Sequence, residues 1–223
     1  MTGIDGSCEE GGHQLSCRRQ DRRRKANFST TRSDGGPEER PYHHGGLRRE
    51  LLDSAAAIAA AEGPSAITLR DLARRAGVSH AAPAHHFGDK RGLLTALAAE
   101  GFQDLAAGLV EAHDRGGRIV DQGVAYVGFA VAHPGHFAVM WRFDLLDGDD
   151  EGLREGADAA RAALDAGAAR HAAECGGDPR VVATAAWSFA HGLATLLNAG
   201  LLDPGPDLAG FVRDAGRVLA QGA

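Results

Sequence analysis

Aromatic residues make up only 5% of the 223 positions, and runs of β-branched residues are nearly absent, so little in the chain favours strands. Alanine, leucine and arginine dominate instead, which points to an all-α fold. Cysteine is also sparse. Cys8, Cys17 and Cys175 are odd in number and unrelated in spacing, which excludes the paired pattern of a zinc site or disulfide framework and fits a reducing compartment. No uninterrupted apolar run reaches the roughly 18 to 20 residues of a membrane span, and the N-terminus lacks the apolar stretch of a signal peptide. The expectation is a cytoplasmic protein with no membrane partner. Catalytic constellations are missing as well: no nucleophile–base pair, phosphate loop or metal triad stands out, so an enzyme is not expected. His133, His136 and His191 find no carboxylate or cysteine at a recognised ligand spacing, so neither a metal nor another cofactor is expected.

Positive charge is lacking in one part of the chain only. Residues 1–92 carry 15 Lys/Arg against 12 Asp/Glu, whereas residues 93–223 carry 9 against 18, within a formal net charge of -6. A mildly basic N-terminal part can approach a polyanion, and an acidic remainder suits solvent or small molecules.

Residues 1–42 are rich in Gly, Ser, Thr and charge and include the run Arg18, Arg19, Arg22, Arg23, Arg24, Lys25, which reads as a disordered basic tail. Helical periodicity starts at Leu47, with Leu51, Leu52, Ala55, Ile58 and Ala59 on one face. Gly63-Pro64 ends that helix. Thr68 and Asp71 form a capping-box pattern for a short second helix, and Gly77 marks a tight turn. Ser79 is a natural N-cap for a third helix of about seven residues, and Asp89 caps a fourth running past Leu105. Helices are further expected over 117–133, 135–143, 150–174, 180–200 and 207–220, about nine in all, divided by Pro134, by Gly176-Gly177-Asp178-Pro179 and by Asp203-Pro204-Gly205-Pro206. Two short helices joined by a glycine turn make a helix-turn-helix.

The stretch Ile67–Ser79, followed by His85-His86-Phe87-Gly88-Asp89-Lys90 and Leu93-Leu94, resembles the DNA-binding head of the tetracycline-repressor (TetR) family. The likeness spans about 44–104. It implies a head over 43–104 and a ligand-binding and dimerisation domain over 105–223. It also implies a homodimeric transcriptional regulator, a repressor released from palindromic double-stranded operator DNA by a small-molecule effector. Carried over by position, Thr68, Arg70 and Lys90 would hold phosphates. Ser79, His80, Ala81, Ala82, His85 and His86 would lie in or at the major groove, where His80 or His85 could bond a base edge and an alanine could meet a thymine methyl. Two positions depart from the family pattern: Ala84 stands where a phosphate-binding tyrosine is usual, and Pro83 replaces an apolar residue. The alternative reading is therefore a small-molecule-binding helical protein with weak or non-specific DNA binding.

In the second half, Trp187–Ala194 is similar to the Trp and His-Gly signature of one TetR C-terminal subfamily, and His133–Phe143 to its middle helices. Tyr126, Phe129, Phe137, Trp141, Trp187 and His191 are candidates to line an apolar pocket between helices, or else they pack as ordinary core. His191 lies one helical turn after Trp187 and is the candidate polar contact. The helices over 150–174 and 180–200 would pair across a two-fold axis into a four-helix bundle.

Overall fold

The first helix, α1 (His44–Glu62), presents Leu47, Leu51, Leu52, Ala55, Ile58 and Ala59 to the core at the expected period. The computed structural model describes residues 44–221; the tail over 1–42 lies outside them. Gly63, at φ 83°, takes the left-handed turn that ends α1, and Pro64 opens a 3-10 turn through Ala66. In α2 (Leu69–Arg75), the Thr68 hydroxyl accepts from the Asp71 N–H at 3.1 Å. The Asp71 carboxylate does not return the bond to the cap. It binds Arg74 at 2.5 Å and Arg75 at 2.6 Å, and chiefly the Arg75 hydrogen bond holds it below the usual carboxylate range.

The third helix differs from expectation. α3 covers Ala82–Phe87, its N-cap is Ala81, and no side chain caps it. The reason is Pro83. A helix capped at Ser79 would put this residue where its missing N–H forfeits the first intrahelical bond, whereas at the second position of α3 that N–H is not needed. Ser79 instead closes a turn, its carbonyl accepting from Ala82 N at 3.0 Å. Asp89 then caps α4 (Lys90–Asp114), its carboxylate accepting from Gly92 N at 2.9 Å.

The remaining helices are α5 (Ile119–Ala132), α6 (Pro134–Met140), α7 (Glu151–Cys175), α8 (Pro179–Asn198) and α9 (Leu208–Gln221), with a 3-10 turn at Phe143–Leu145 between α6 and α7. The described residues therefore form nine α-helices and no strand. α4 runs about 37 Å at 1.5 Å per residue, from the helix-turn-helix deep into the second half, where it packs most extensively on α7. The division at 104/105 thus falls inside one helix, and a single hydrophobic core continues from Leu51 and Leu72 through Leu97 to Leu109, Val127 and Met140. By length and composition alone α4 could cross a membrane. Its apolar face, Leu93, Leu94, Leu97, Phe102, Leu105 and Leu109, is buried within the protein.

Two close fits lock this arrangement. Gln122 of α5 is 1% exposed and its amide nitrogen donates to Leu109 O of α4 at 3.3 Å and Ala163 O of α7 at 2.8 Å. Its Oε1 lies against Gly167 of α7, where a Cβ would come within 1.7 Å of it. At the other end, α6 meets α1 so closely that a Cβ on Gly135 would lie 2.0 Å from Ala56 O. Arg49 of α1 and His136 of α6 both reach Glu100 of α4, at 2.8 and 3.3 Å.

Candidate functional site

The helix-turn-helix offers one polar edge to solvent. His80, Ala81, Ala84 and His85 are exposed, Ala82, His86 and Phe87 are half-buried, and Pro83 is buried. Pro83 anchors the back of α3 and leaves the side bearing Ala81, Ala84 and His85 outward. His86 turns inward, its ring 6.2 Å from that of Phe87. Arg48 of α1 lies over the Phe87 ring at 5.4 Å, which fixes the end of α3. Arg70, in the first turn of α2, is exposed. Lys90 is already engaged, since its ammonium donates to Ser65 O at 2.8 Å. Thr68 also has a structural duty as the α2 cap. Of the nine residues expected to meet DNA, the structure leaves His80, Ala81 and His85 on the exposed edge and Arg70 exposed on α2, assigns Thr68, Ser79 and Lys90 local bonds, and half-buries Ala82 and His86.

The second half forms a cavity of about 170 Å³, half open to solvent, between α4, α5, α7 and α8. Phe102, Leu105, Tyr126, Trp141, Phe143 and Trp187 form most of its wall, with Gln122 and Leu164 behind and Arg161 at one side. Trp141 is the hub of the rings, edge-on to Phe102 at 5.3 Å and to His191 at 4.9 Å and tilted against Trp187 at 5.6 Å. Of the six expected pocket residues, Tyr126, Trp141 and Trp187 line the cavity. Phe137 and His191 stand behind them, the His191 ring 5.3 Å from Phe137. Phe129 lies away from it, stacked on His133 at 5.2 Å. Phe102, Leu105, Gln122 and Phe143 were not foreseen, because periodicity marks a residue as buried without saying whether it meets another helix or a void.

Polar atoms around this cavity are few. The Tyr126 hydroxyl and His191 Nδ1 are 2.8 Å apart. Burial lowers the His191 pKa and raises that of Tyr126, so the two groups pair in their neutral forms. Arg161 is exposed and bonds Asp165 at 3.1 Å. The Trp141 Nε1 atom is buried and has no partner. A loop closes the Phe143 side. Arg91 donates twice to Leu146 O, at 2.6 and 2.9 Å, and the Thr95 hydroxyl accepts from Asp147 N at 2.9 Å.

The outer face of α8 carries Val181, Ala185, Ser188, Gly192 and Leu196 at helical spacing, all exposed. Val181 is 65% and Leu196 42% exposed, and on α9 Val218 and Leu219 are 70% and 62% exposed. The outer face of α7 bears Arg154, Glu155, Asp158, Arg161 and Asp165 among alanines.

Residues 51–97 match the family model described as bacterial regulatory proteins, tetR family, and residues 119–218 match that of the tetracyclin repressor-like C-terminal domain. Among solved structures, the chain is similar to a protein of unknown function from Rhodococcus sp. RHA1 at 36% identity and TM-score 0.68, over 82% of this chain and 98% of that one. AmtR of Mycobacterium smegmatis is similar at 22% identity and TM-score 0.56, over 81% and 88% of the two chains. The ketosteroid transcriptional regulator KstR2 of Mycobacterium tuberculosis is similar at 19% identity and TM-score 0.59, over 78% of this chain. No curated protein matches the sequence.

Proposed function

The chain belongs to the tetR family of bacterial regulatory proteins and is a DNA-binding transcriptional regulator; from that premise we propose that it is a cytoplasmic repressor which grips a palindromic operator as a homodimer and lets go when a small molecule fills the cavity. The observation that carries this is the pairing, on one helix, of the two parts such a switch needs. α4 begins at the groove-reading edge of α3 and passes the cavity wall at Phe102 and Leu105. A molecule that binds better to one placement of α4 biases where the head sits.

On the DNA, His80 and His85 read base edges, Ala81 and Ala84 lie against thymine methyls or the backbone, and Arg70 with the N-terminus of α2 holds phosphate. Thr68, Ser79 and Lys90 act first through the local bonds that shape the head. Dimerisation falls to α8 and α9, whose uncovered apolar side chains differ from the charged outer face of α7. This revises the partner helix expected from the sequence. A two-fold axis there sets two heads against half-sites about 34 to 36 Å apart. Catalysis has no part in this reading.

Selection of the purified protein on random duplexes at near-physiological salt tests it. An enriched palindrome is expected, and retained duplexes without any shared sequence would remove the specific repressor. That second outcome is the signature of the other reading, a helical ligand binder with weak DNA affinity, which the lack of a side-chain donor at Ala84 favours.

A further inference from the structure

We propose that the effector is an amphipathic anion, its apolar body in the aromatic cavity and its acidic end held by arginines in a second groove alongside. This deepens the reading of the cavity as the effector site and rests on it. The groove, of about 430 Å³, lies between α5, α8 and α9. Val120, Val182, Phe189 and Leu219 give it an apolar lining, and Arg118, His171, Arg213 and Arg217 stand around it.

The two spaces are neighbours. Ile119 and Gly123 of α5 and Ala186 of α8 line both of them. A Cβ on Gly123 would meet nothing within 4 Å, so packing within the chain gives no reason for a residue that weakens a helix interior. A ligand that reaches from one space into the other runs over this bare stretch of α5. From Gly123 back to Arg118, the α5 N-cap, the helix rises about 7.5 Å at 1.5 Å per residue. That rise sets the length of the chain linking body to acid.

Charge at the groove runs against its surroundings. Residues 93–223 hold 9 Lys/Arg against 18 Asp/Glu, yet three of those arginines meet here, from the start of α5 and from α9. Tertiary packing brings them together, not a charged run along one helix. Arg213 bonds Asp121 at 3.2 Å and Arg217 bonds Asp214 at 2.7 Å. Asp121 also accepts from the Arg118 backbone N–H at 2.9 Å, and among the described residues the Arg118 side chain has no ion pair. Three guanidinium groups against two carboxylates leave the groove positive, and the N-terminal end of the α5 dipole adds to it. A carboxylate or phosphate is favoured there and an ammonium is not. Val181, Ser188, Leu196 and Val218 of the assembly face do not line the groove, which shares only Ala185 and Leu219 with that face.

Equilibrium dialysis of the full chain with 6-(2-naphthyl)hexanoate and 6-(2-naphthyl)hexan-1-ol tests this. The rings suit the aromatic cavity and the chain covers the rise to Arg118. The acid is expected to bind at least roughly fivefold more tightly, the scale of one or two partly exposed charge pairs. Arg118→Gln with Arg217→Gln should remove that advantage and leave the alcohol within about twofold, which also shows the variant is folded. Gly123→Leu suits a helix and fills the shared space, so it should weaken both probes by roughly tenfold or more. The short pair 2-naphthoate and 2-naphthylmethanol cannot reach Arg118 from the cavity and should bind alike. Equal binding of the long pair, no binding of either, a preference that survives in the arginine variant, or unchanged binding in Gly123→Leu would each overturn the proposal. So would a preference already present in the short pair, which would put the anion at Arg161. The effector reading is judged apart from this: an acid that binds as expected and still leaves the selected duplex bound would remove that reading and keep the site. The wild-type comparison decides even if a variant does not fold.

Discussion

Gly167 has no side chain because Gln122 Oε1 occupies the place of one. Adding a methyl group must push the amide off the two carbonyls it serves, so Gly167→Ala should cost about 1 to 3 kcal/mol in urea unfolding, the range for overpacking a filled core. Combined with Gln122→Ala, which makes room for the methyl, the cost should fall well below the sum of the two single changes; additive costs would show that the two residues do not share the space. The Tyr126–His191 pair makes a second, pH-dependent statement. Burial lowers the folded pKa of His191 from its ordinary 6.5, so below that pH the unfolded chain takes up a proton that the folded chain refuses. Stability should be fully present above about pH 6.5 and fall on acidification until the folded pKa is passed. Melting curves of wild type and His191→Gln between about pH 7.5 and 5 should diverge, the wild type losing more; parallel curves would refute the assignment. Sequence alone could suggest Tyr126, Trp141 and Trp187 as a cluster of rings. It could not show that His191 would spend its Nδ1 on Tyr126 and not on a ligand, because that depends on how α5 and α8 face each other.

Among the elements, α3 is the one that the sequence places two residues too early. Ser79 is a good cap and Pro83 a good first-turn residue, but one helix cannot use both, and the ring wins because its missing N–H cannot be supplied elsewhere. Helices bounded by local chemistry were legible to within a few residues: Thr68 for α2, Asp89 for α4, Gly176–Pro179 between α7 and α8. The loop after α6, which closes the cavity through Arg91 and Thr95, was not, since its bonds come from α4, some 50 residues earlier in the chain. The two basic residues expected on phosphates also separate at this scale. Lys90 ties α4 to the turn after α1 through Ser65 O; Arg70 is simply exposed. Lys90→Gln should therefore lower stability by about 0.5 to 1.5 kcal/mol without DNA. Arg70→Gln should leave melting unchanged, weaken binding to all duplexes alike, and lower the salt slope by about 1. Equal melting temperatures for the two variants would contradict the role given to Lys90.

For the molecule as a whole, the uncovered side chains of α8 and α9 bear on assembly. Val181 and Leu196 are exposed in the single chain, so charging them leaves the core untouched and acts only on what lies across that face. Val181→Glu with Leu196→Glu should give a folded monomer by light scattering, and its affinity for a two-half-site duplex should drop to that for one half-site. A variant that remains dimeric would move the axis elsewhere.

The cavity also fixes how the protein can be watched. Its wall contains Trp141 and Trp187, and these are the only two tryptophans in the chain. All indole emission excited at the red edge of the absorption band therefore originates at the wall of one site, with none from the head. An occupant changes the polarity and ring contacts of both emitters at once, whereas a soluble quencher also reaches Trp187, which is 37% exposed, from outside. The apoprotein thus carries an unlabelled optical gauge of its own occupancy, readable in the same cuvette while DNA is added or removed.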